Sequence, residues 1–312
     1  MSDALGPSTA LLTDHYELTM LQATLASGTA ERRCVFELFG RRLPEGRRYG
    51  VVAGVGRALE ALERFRFDEP TLDVLADVVD EATLERLARW RFTGDVWGYA
   101  EGEAYFPGSP LAVVEAPFAE AVLLETLLLS IYNHDSAIAS AASRMTRAAG
   151  ERACIEMGSR RTHEEAAVAA ARAAYVAGFA GSSNLAARQR HGVPTTGTSA
   201  HAFTLLHDSE ADAFRAQVRS LGAGTTLLVD TYDVAEAVEL RSDLGDSRFR
   251  VVGTPQPGLV VPESDGGSAV VFTLCAGDVL ADVVHQGDPA ELFQPGVPVV
   301  LQGVWTAGRP PA

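Results

Sequence analysis

The chain has 312 residues, 47% of them hydrophobic, enough for one large α/β domain with an appended lobe or for two ordinary domains. Asp+Glu number 41 against 26 for Lys+Arg, and the formal net charge of -15 opposes non-specific nucleic-acid binding, although a local arginine cluster can still hold one anionic ligand. Every one of those cations is an arginine, which excludes a lysine Schiff base and a Walker-type phosphate lysine and leaves phosphate contacts to arginine, backbone N–H groups and hydroxyls.

After a short flexible lead over residues 1–10, TDHYELTMLQATLASG predicts a helix with Thr13 or Asp14 as its cap and Gly28 at its close. Cys34 to Phe39 alternates as a strand does. GRRLPEGRRYG follows, a turn with four arginines that is either a solvated basic loop or an anion-binding one. VVAGVGRALEALERF reads as strand to helix, and residues 68–92 as two short amphipathic helices. From Phe92 to Pro117, short alternating runs with Gly and Pro breaks predict a small β-rich lobe built with the N-terminal elements. Ala119 to Ala149 is an apolar helix or helix pair, interrupted by Tyr132-Asn133-His134-Asp135-Ser136. That polar group is a satisfied packing network or part of a site.

ACIEMG predicts a short buried strand, and Ser159 or Thr162 the cap of a helix from about Glu164 to Val176. GSSN opens another short helix, VPTTG a strand and turn, and AHAFTLLHD a further helix. TTLLVD, at 225–230, is the clearest parallel strand, followed by TYD and a helix start at VAEAVEL. Repeated strand, loop and helix predict an α/β barrel or open parallel sheet with its site at the C-terminal strand ends. After Leu240 the alternation gives way to short β-like runs with many Gly/Pro breaks, too little for the rest of an eight-unit barrel. The expected divisions are an α+β lobe over 1–117, a partial α/β barrel over 118–240 and a β-rich tail over 241–312.

Cys34, Cys154 and Cys275 have no paired spacing, which fits a reducing cytosol better than a disulfide scaffold or zinc cluster. The first residues lack the basic start and apolar run of a signal peptide, and no run reaches about 18 uninterrupted apolar residues, so no membrane span is expected. The densest polar chemistry lies between Ile155 and Asp208. Arg160 and Arg161 follow a strand and suit a carboxylate or phosphate, unless Glu164 and Glu165 neutralise them. Gly181-Ser182-Ser183-Asn184 is a helix cap or an anion-binding turn. In Gly197-Thr198-Ser199-Ala200-His201 the histidine sits after a strand at a helix start, as a structural or a nucleophilic residue. Asp230 and Asp233 could orient hydroxyls or a metal, Asp233 equally serving as a helix cap.

These stretches, with LTDHYELTML at 12–21, CVFELFGRRLPEGRRYGVVAG at 34–54, EGEAYFPGSPL at 101–111 and LLETLLLSIYNHDSAIASAASRM at 123–145, closely resemble nicotinate phosphoribosyltransferases, particularly the actinobacterial branch. The likeness runs over roughly residues 8–238. It implies an irregular or incomplete α/β barrel of the type II phosphoribosyltransferase kind with an α+β N-terminal lobe, usually a homodimer. The implied reaction is ATP-assisted transfer of phosphoribosyl from phosphoribosyl pyrophosphate to nicotinate, giving nicotinate mononucleotide and pyrophosphate. By the same resemblance, Tyr16 walls the pyridine ring across a subunit interface and Arg160 faces the nicotinate carboxylate and ribosyl phosphate. Ser182, Ser183, Asn184 and Thr198 line the substrate, and His201 is transiently phosphorylated by ATP. Asp230 lies near the ribose and the magnesium-bound diphosphate, Mg2+ arriving with that diphosphate.

The family's continuation survives only as RSDLGD at 241–246 and VVGT at 251–254, almost adjacent and without the strand–helix units that separate such motifs. The alternatives are therefore a catalytically impaired or inactive homologue that binds ligand or a partner subunit, and a phosphoribosyltransferase for another heteroaromatic acid.

Overall fold

The computed structural model describes residues 6–229, 231, 248–256, 259–262, 268–276, 279–286 and 299–303. The chain divides into two compact units, Met1–Thr196 and Gly197–Ala312. The expected helix at VAEAVEL, the RSDLGD stretch, Asp230 and Asp233 all lie outside the described residues.

The first unit opens with α1 (His15–Ala26), which starts at the predicted Asp14 and is followed by Gly28 in the left-handed region. β1 (Arg33–Phe39) turns Cys34, Phe36 and Leu38 onto the core and Arg33, Val35, Glu37 and Phe39 outward, the period of two that its sequence shows. β2 (Gly50–Val51) leads through Gly54 into α2 (Val55–Glu63). α3 (Glu69–Leu75) and α4 (Glu81–Ala88) are each capped by an aspartate, Asp68 on the Thr71 N–H and Asp80 on the Thr83 N–H. β3 (Asp95–Gly98), β4 (Ala104–Tyr105) and β5 (Pro110–Pro117) complete the lobe. β5 is the middle strand of an antiparallel sheet ordered β1-β5-β3, so the β-rich stretch does build onto the N-terminal strand, while β4 pairs with β2. One apolar core joins α1, this sheet and the following helices, with Leu21, Leu87, Leu123 and Trp90 almost wholly inside and the Phe65 ring 4.7 Å from that of Trp90.

α5 (Phe118–Ala121) and a 3-10 turn over 122–124 run into α6 (Glu125–Ala149), the longest described helix at 25 residues. Its first turn is held by fully buried Glu17, whose carboxylate accepts from the Thr126 N–H at 2.9 Å. The polar interruption in α6 is largely a packing network. Ser136 Oγ takes the Ala53 N–H and returns a bond to the Ala53 carbonyl, and Ser140 Oγ takes the Val51 N–H. Arg57 reaches buried Asp135 at 2.7 Å.

β6 (Ile155–Glu156) precedes α7 (Glu164–Val176), and β7 (Gly181–Ser182) precedes α8 (Leu185–His191). β6 and β7 are parallel, and Ser182 bridges in parallel to Thr195. The cap of α7 differs from the expected Ser159 or Thr162. His163 stands at that position and its Nδ1 accepts from the Glu165 N–H, while Thr162 is extended and Ser159 bonds elsewhere.

The second unit holds α9 (His201–Thr204), α10 (Glu210–Leu221) and β8 (Thr226–Leu228). β9 (Arg248–Pro255), which contains VVGT, lies parallel to β8. β10 (Leu259–Pro262), β11 (Ser268–Ala276), β12 (Val279–Gln286) and β13 (Val299–Gly303) join it through antiparallel pairings. Phe214, Leu227, Val229, Phe272 and Leu274 form this unit's core. The fold is mixed α/β with a helical N-terminal lobe, and its barrel-like parallel pairs are irregular and unclosed among the described residues. No helix among them is long and apolar enough to cross a membrane.

Candidate functional site

Parallel pairing of β6 with β7 sets Glu156 beside Ser182, and that register organises the candidate site of the first unit. Ser182 Oγ donates to Glu156 Oε2 at 2.7 Å, and the other carboxylate oxygen accepts the Gly158 N–H. Ser182 Oγ also accepts the Asn184 N–H at 3.0 Å. Asn184 divides its amide between two tasks, Oδ1 capping α8 through the Ala187 N–H and Nδ2 donating to Ser159 Oγ at 3.1 Å. The two turns that follow β6 and β7 are thus bound to each other through Glu156, Ser182, Asn184 and Ser159.

The side chains that this frame presents outward are those able to meet a ligand. Arg160 and Arg161, in the turn Ser159–Arg161, are both exposed, and so is Ser183. Ser182 is fully buried and its hydroxyl is occupied within the network. Neutralisation of the arginine pair by Glu165 is not the arrangement found, because Glu165 binds Arg190 at 2.5 and 3.0 Å. Glu156 was not singled out in the sequence. Its signal was a lone carboxylate at a strand end, two residues before the glycine that turns the chain, and its partner lies 26 residues downstream.

Tyr16, on α1, is 44% exposed and donates to Glu125 Oε1 at 3.0 Å. Its neighbour Glu17 faces inward, and its pKa is raised first by burial and then by Glu125 and Asp14, against the opposing Thr126 hydrogen bonds. The loop arginines Arg41, Arg42 and Arg48 are exposed, as the solvated reading of GRRLPEGRRYG expects.

In the second unit His201 is the first residue of α9 and is exposed, with Nδ1 3.2 Å from Thr231 Oγ1. Thr198 Oγ1 donates to the Ser199 carbonyl. Thr231 is the residue after Asp230, so the chain leaving β8 does come to His201. Nothing in the local pattern distinguishes Thr231, since a threonine in TYD reads as loop. No group of three or more His, Cys, Asp or Glu stands together as a metal site among the described residues. The acidic residue expected near a magnesium-bound diphosphate, Asp230, lies outside them.

Residues 11–133 match the model of the nicotinate phosphoribosyltransferase (NAPRTase) N-terminal domain. Nicotinate phosphoribosyltransferase pncB1 of Mycobacterium tuberculosis is 66% identical over 236 residues, 73% of this chain and 53% of that protein. Nicotinate phosphoribosyltransferase of Bacillus subtilis is 38% identical over 254 residues, 79% of this chain and 51% of that one. The crystal structure of human nicotinic acid phosphoribosyltransferase superposes with a TM-score of 0.66 at 30% identity, covering 71% of this chain and 55% of that one. The chain spans about half the length of the curated relatives it matches.

Proposed function

The chain belongs to the nicotinate phosphoribosyltransferase family and spans about half the length of its relatives, and from that premise we propose that it binds nicotinate and the phosphoribosyl donor but turns them over poorly. The observation that carries the reading is the Glu156 network, which binds the turns after β6 and β7 together beneath exposed Arg160 and Ser183. A guanidinium presented on such a turn makes a two-pronged contact to a carboxylate or phosphate. Preorganised backbone raises affinity by lowering the ordering cost. In this reading Arg160 holds the nicotinate carboxylate and the ribosyl phosphate, and Ser183 and Asn184 line the ligand. Ser182 positions Asn184, and Tyr16 stacks on the pyridine ring in a homodimer. The poor turnover in this reading rests on RSDLGD at 241–246 and VVGT at 251–254 standing almost adjacent in the sequence.

A second reading, full ATP-assisted transfer, is favoured by the placement of His201 at the first residue of α9 against Thr231. In it an imidazole nitrogen takes the γ-phosphoryl group of ATP with release of ADP, and hydrolysis of that phosphohistidine is coupled to formation of nicotinate mononucleotide. By the family resemblance, Asp230 would help hold a magnesium-bound diphosphate, and that metal would supply neutralising charge to the departing pyrophosphate.

Equilibrium dialysis with labelled nicotinate, followed in the same samples by an assay for nicotinate mononucleotide with and without ATP, separates the two. Saturable binding with little product supports the first reading. ATP-stimulated product, together with acid-labile label on the protein that disappears in His201→Ala, supports the second.

A further inference from the structure

A cavity of about 310 Å³ opens between α2, α6, α7 and α8 of the first unit, and none of Glu156, Ser159, Arg160, Ser182 or Asn184 lines it. Its apolar wall is Ile131 and Val168, while Arg57, His134, Arg190 and His191 bring polar groups to it from three different helices. This volume sits at the lower end of those that hold small metabolites.

The charges around it are arranged in layers. Asp135, with no exposed side-chain surface, accepts from Arg57 at 2.7 Å and lies 2.9 Å from His134 Nδ1, both through Oδ1. Its other oxygen is buried without a hydrogen-bond partner. Arg172 is held by Glu101 through two contacts of 2.6 Å. Arg190 pairs with Glu165 where both side chains are about half exposed, at 49% and 60%. Such a pair contributes little and exchanges readily.

His191 stands where these cations converge. Burial comes first in lowering its pKa from 6.5, and Arg172, Arg57 and Arg190 each lower it further against the single opposing influence of Glu60. The ionisable lining of the cavity is two guanidiniums and two imidazoles against one carboxylate, Glu165, and each guanidinium already has a carboxylate partner, Arg57 in Asp135 and Arg190 in Glu165.

We propose that this cavity is a second ligand site, distinct from the Arg160 turn, and that it takes a small dianion of the phosphomonoester class. Arg57 holds its orientation through Asp135 and directs its remaining N–H donors to the ligand. Arg190 exchanges Glu165 for the ligand's anionic oxygens, and the fork of donors on each arginine suits them. The arriving negative charge favours imidazolium at His191, so a proton is taken from solvent on binding. The groups facing that ring are Arg57 and Glu60 from α2, His134 and Asp135 from α6, Glu165 and Arg172 from α7, Arg190 from α8, and Glu101 behind Arg172. Of these, only the loosely held Arg190–Glu165 pair rearranges. The site is independent of turnover at the candidate active site.

Sulfate, a dianion throughout the range needed, is the probe. Calorimetric titration of the full chain at constant ionic strength should include a saturable site whose affinity falls at least about fivefold between about pH 5.5 and about pH 7.5, the direction required by proton uptake. The His191 imidazole resonance should shift on saturation. Arg190→Gln and His191→Gln, both on the open side of the cavity, should each weaken sulfate at least about fivefold, roughly one lost charge-assisted contact, while Arg160→Gln leaves it unchanged. Because Arg57→Gln alone strands buried Asp135, it is paired with Asp135→Asn, and that double variant should also weaken binding. No saturable binding overturns the proposal. So does binding that survives Arg190→Gln and His191→Gln, or binding that Arg160→Gln removes.

Discussion

Glu156 uses both carboxylate oxygens within its own frame, one on the Ser182 hydroxyl and one on the Gly158 N–H. A group so placed shapes a site without having to touch its ligand. Glu156→Ala leaves the Gly158 N–H and the Ser182 hydroxyl without their acceptor and frees the turn carrying Arg160. Nicotinate affinity is expected to fall about tenfold, the equivalent of one well-made hydrogen bond to a charged group. Glu156→Gln keeps one acceptor and should recover part of that loss, a rescue that nonspecific loosening of the fold would not produce. Sequence alone favoured Arg160 and the Ser-Ser-Asn turn, because paired arginines and clustered hydroxyls announce themselves by type. Glu156 and Thr231 did not, since each acquires its meaning from a partner about 30 residues away or from a strand register that no local pattern encodes.

Among the elements, α6 ties the first unit together. Glu17 fixes its start, Ser136 and Ser140 hold the Ala53 and Val51 N–H groups, and Asp135 anchors Arg57 of α2. Ser140→Ala therefore strands a buried backbone donor and should cost about 1–3 kcal/mol in denaturant unfolding. Gly54 connects β2 to α2 at φ 97°, and a Cβ there would stand 3.0 Å from Ile131 and 3.2 Å from Asp135. Gly54→Ala combines left-handed strain with crowding against α6, and a loss above about 2 kcal/mol is expected by the same measurement. Most elements of this unit were legible because their apolar spacing follows the helical or strand period. The role of Tyr132 to Ser136 was not, because a buried polar run reads alike whether it meets a ligand or the backbone of another strand. The cap of α7 was missed for a simpler reason: His163 accepts through a ring nitrogen, and serine and threonine stood nearby as more usual candidates.

For the molecule as a whole, acid should weaken the fold in two separate ranges. His191 has a folded pKa below its ordinary 6.5, so the unfolded chain binds the extra proton first and stability declines as pH falls below about 6.5 toward the folded value. Burial alone would raise Glu101, but the hydrogen bonds and charge of Arg172 and the N–H groups of Gly54 and Gly56 outweigh it and hold its pKa below 4.5. Its contribution is present above about pH 4.5 and disappears as pH drops through the lower folded value. Urea midpoints followed against pH should lose the upper limb in His191→Gln and keep the lower one.

Much of the global architecture was also readable, with alternating strands and helices giving way after Leu240 to short β-like runs, but the parallel pairing of the VVGT strand with that of TTLLVD was not, because register between distant strands leaves no local pattern. The division between Thr196 and Gly197 was not marked, because it falls inside the polar run GVPTTGTSAH, which reads as continuous site chemistry.

Ligand binding uncoupled from efficient turnover is tested most directly by comparing nicotinate binding with nicotinate mononucleotide formation in one preparation, beside the Bacillus subtilis relative. Saturable nicotinate binding that Arg160→Gln weakens at least about tenfold, with a turnover at least about a hundredfold below that of the relative, is the expected result. Turnover equal to the relative's, or no nicotinate binding at all, would contradict it.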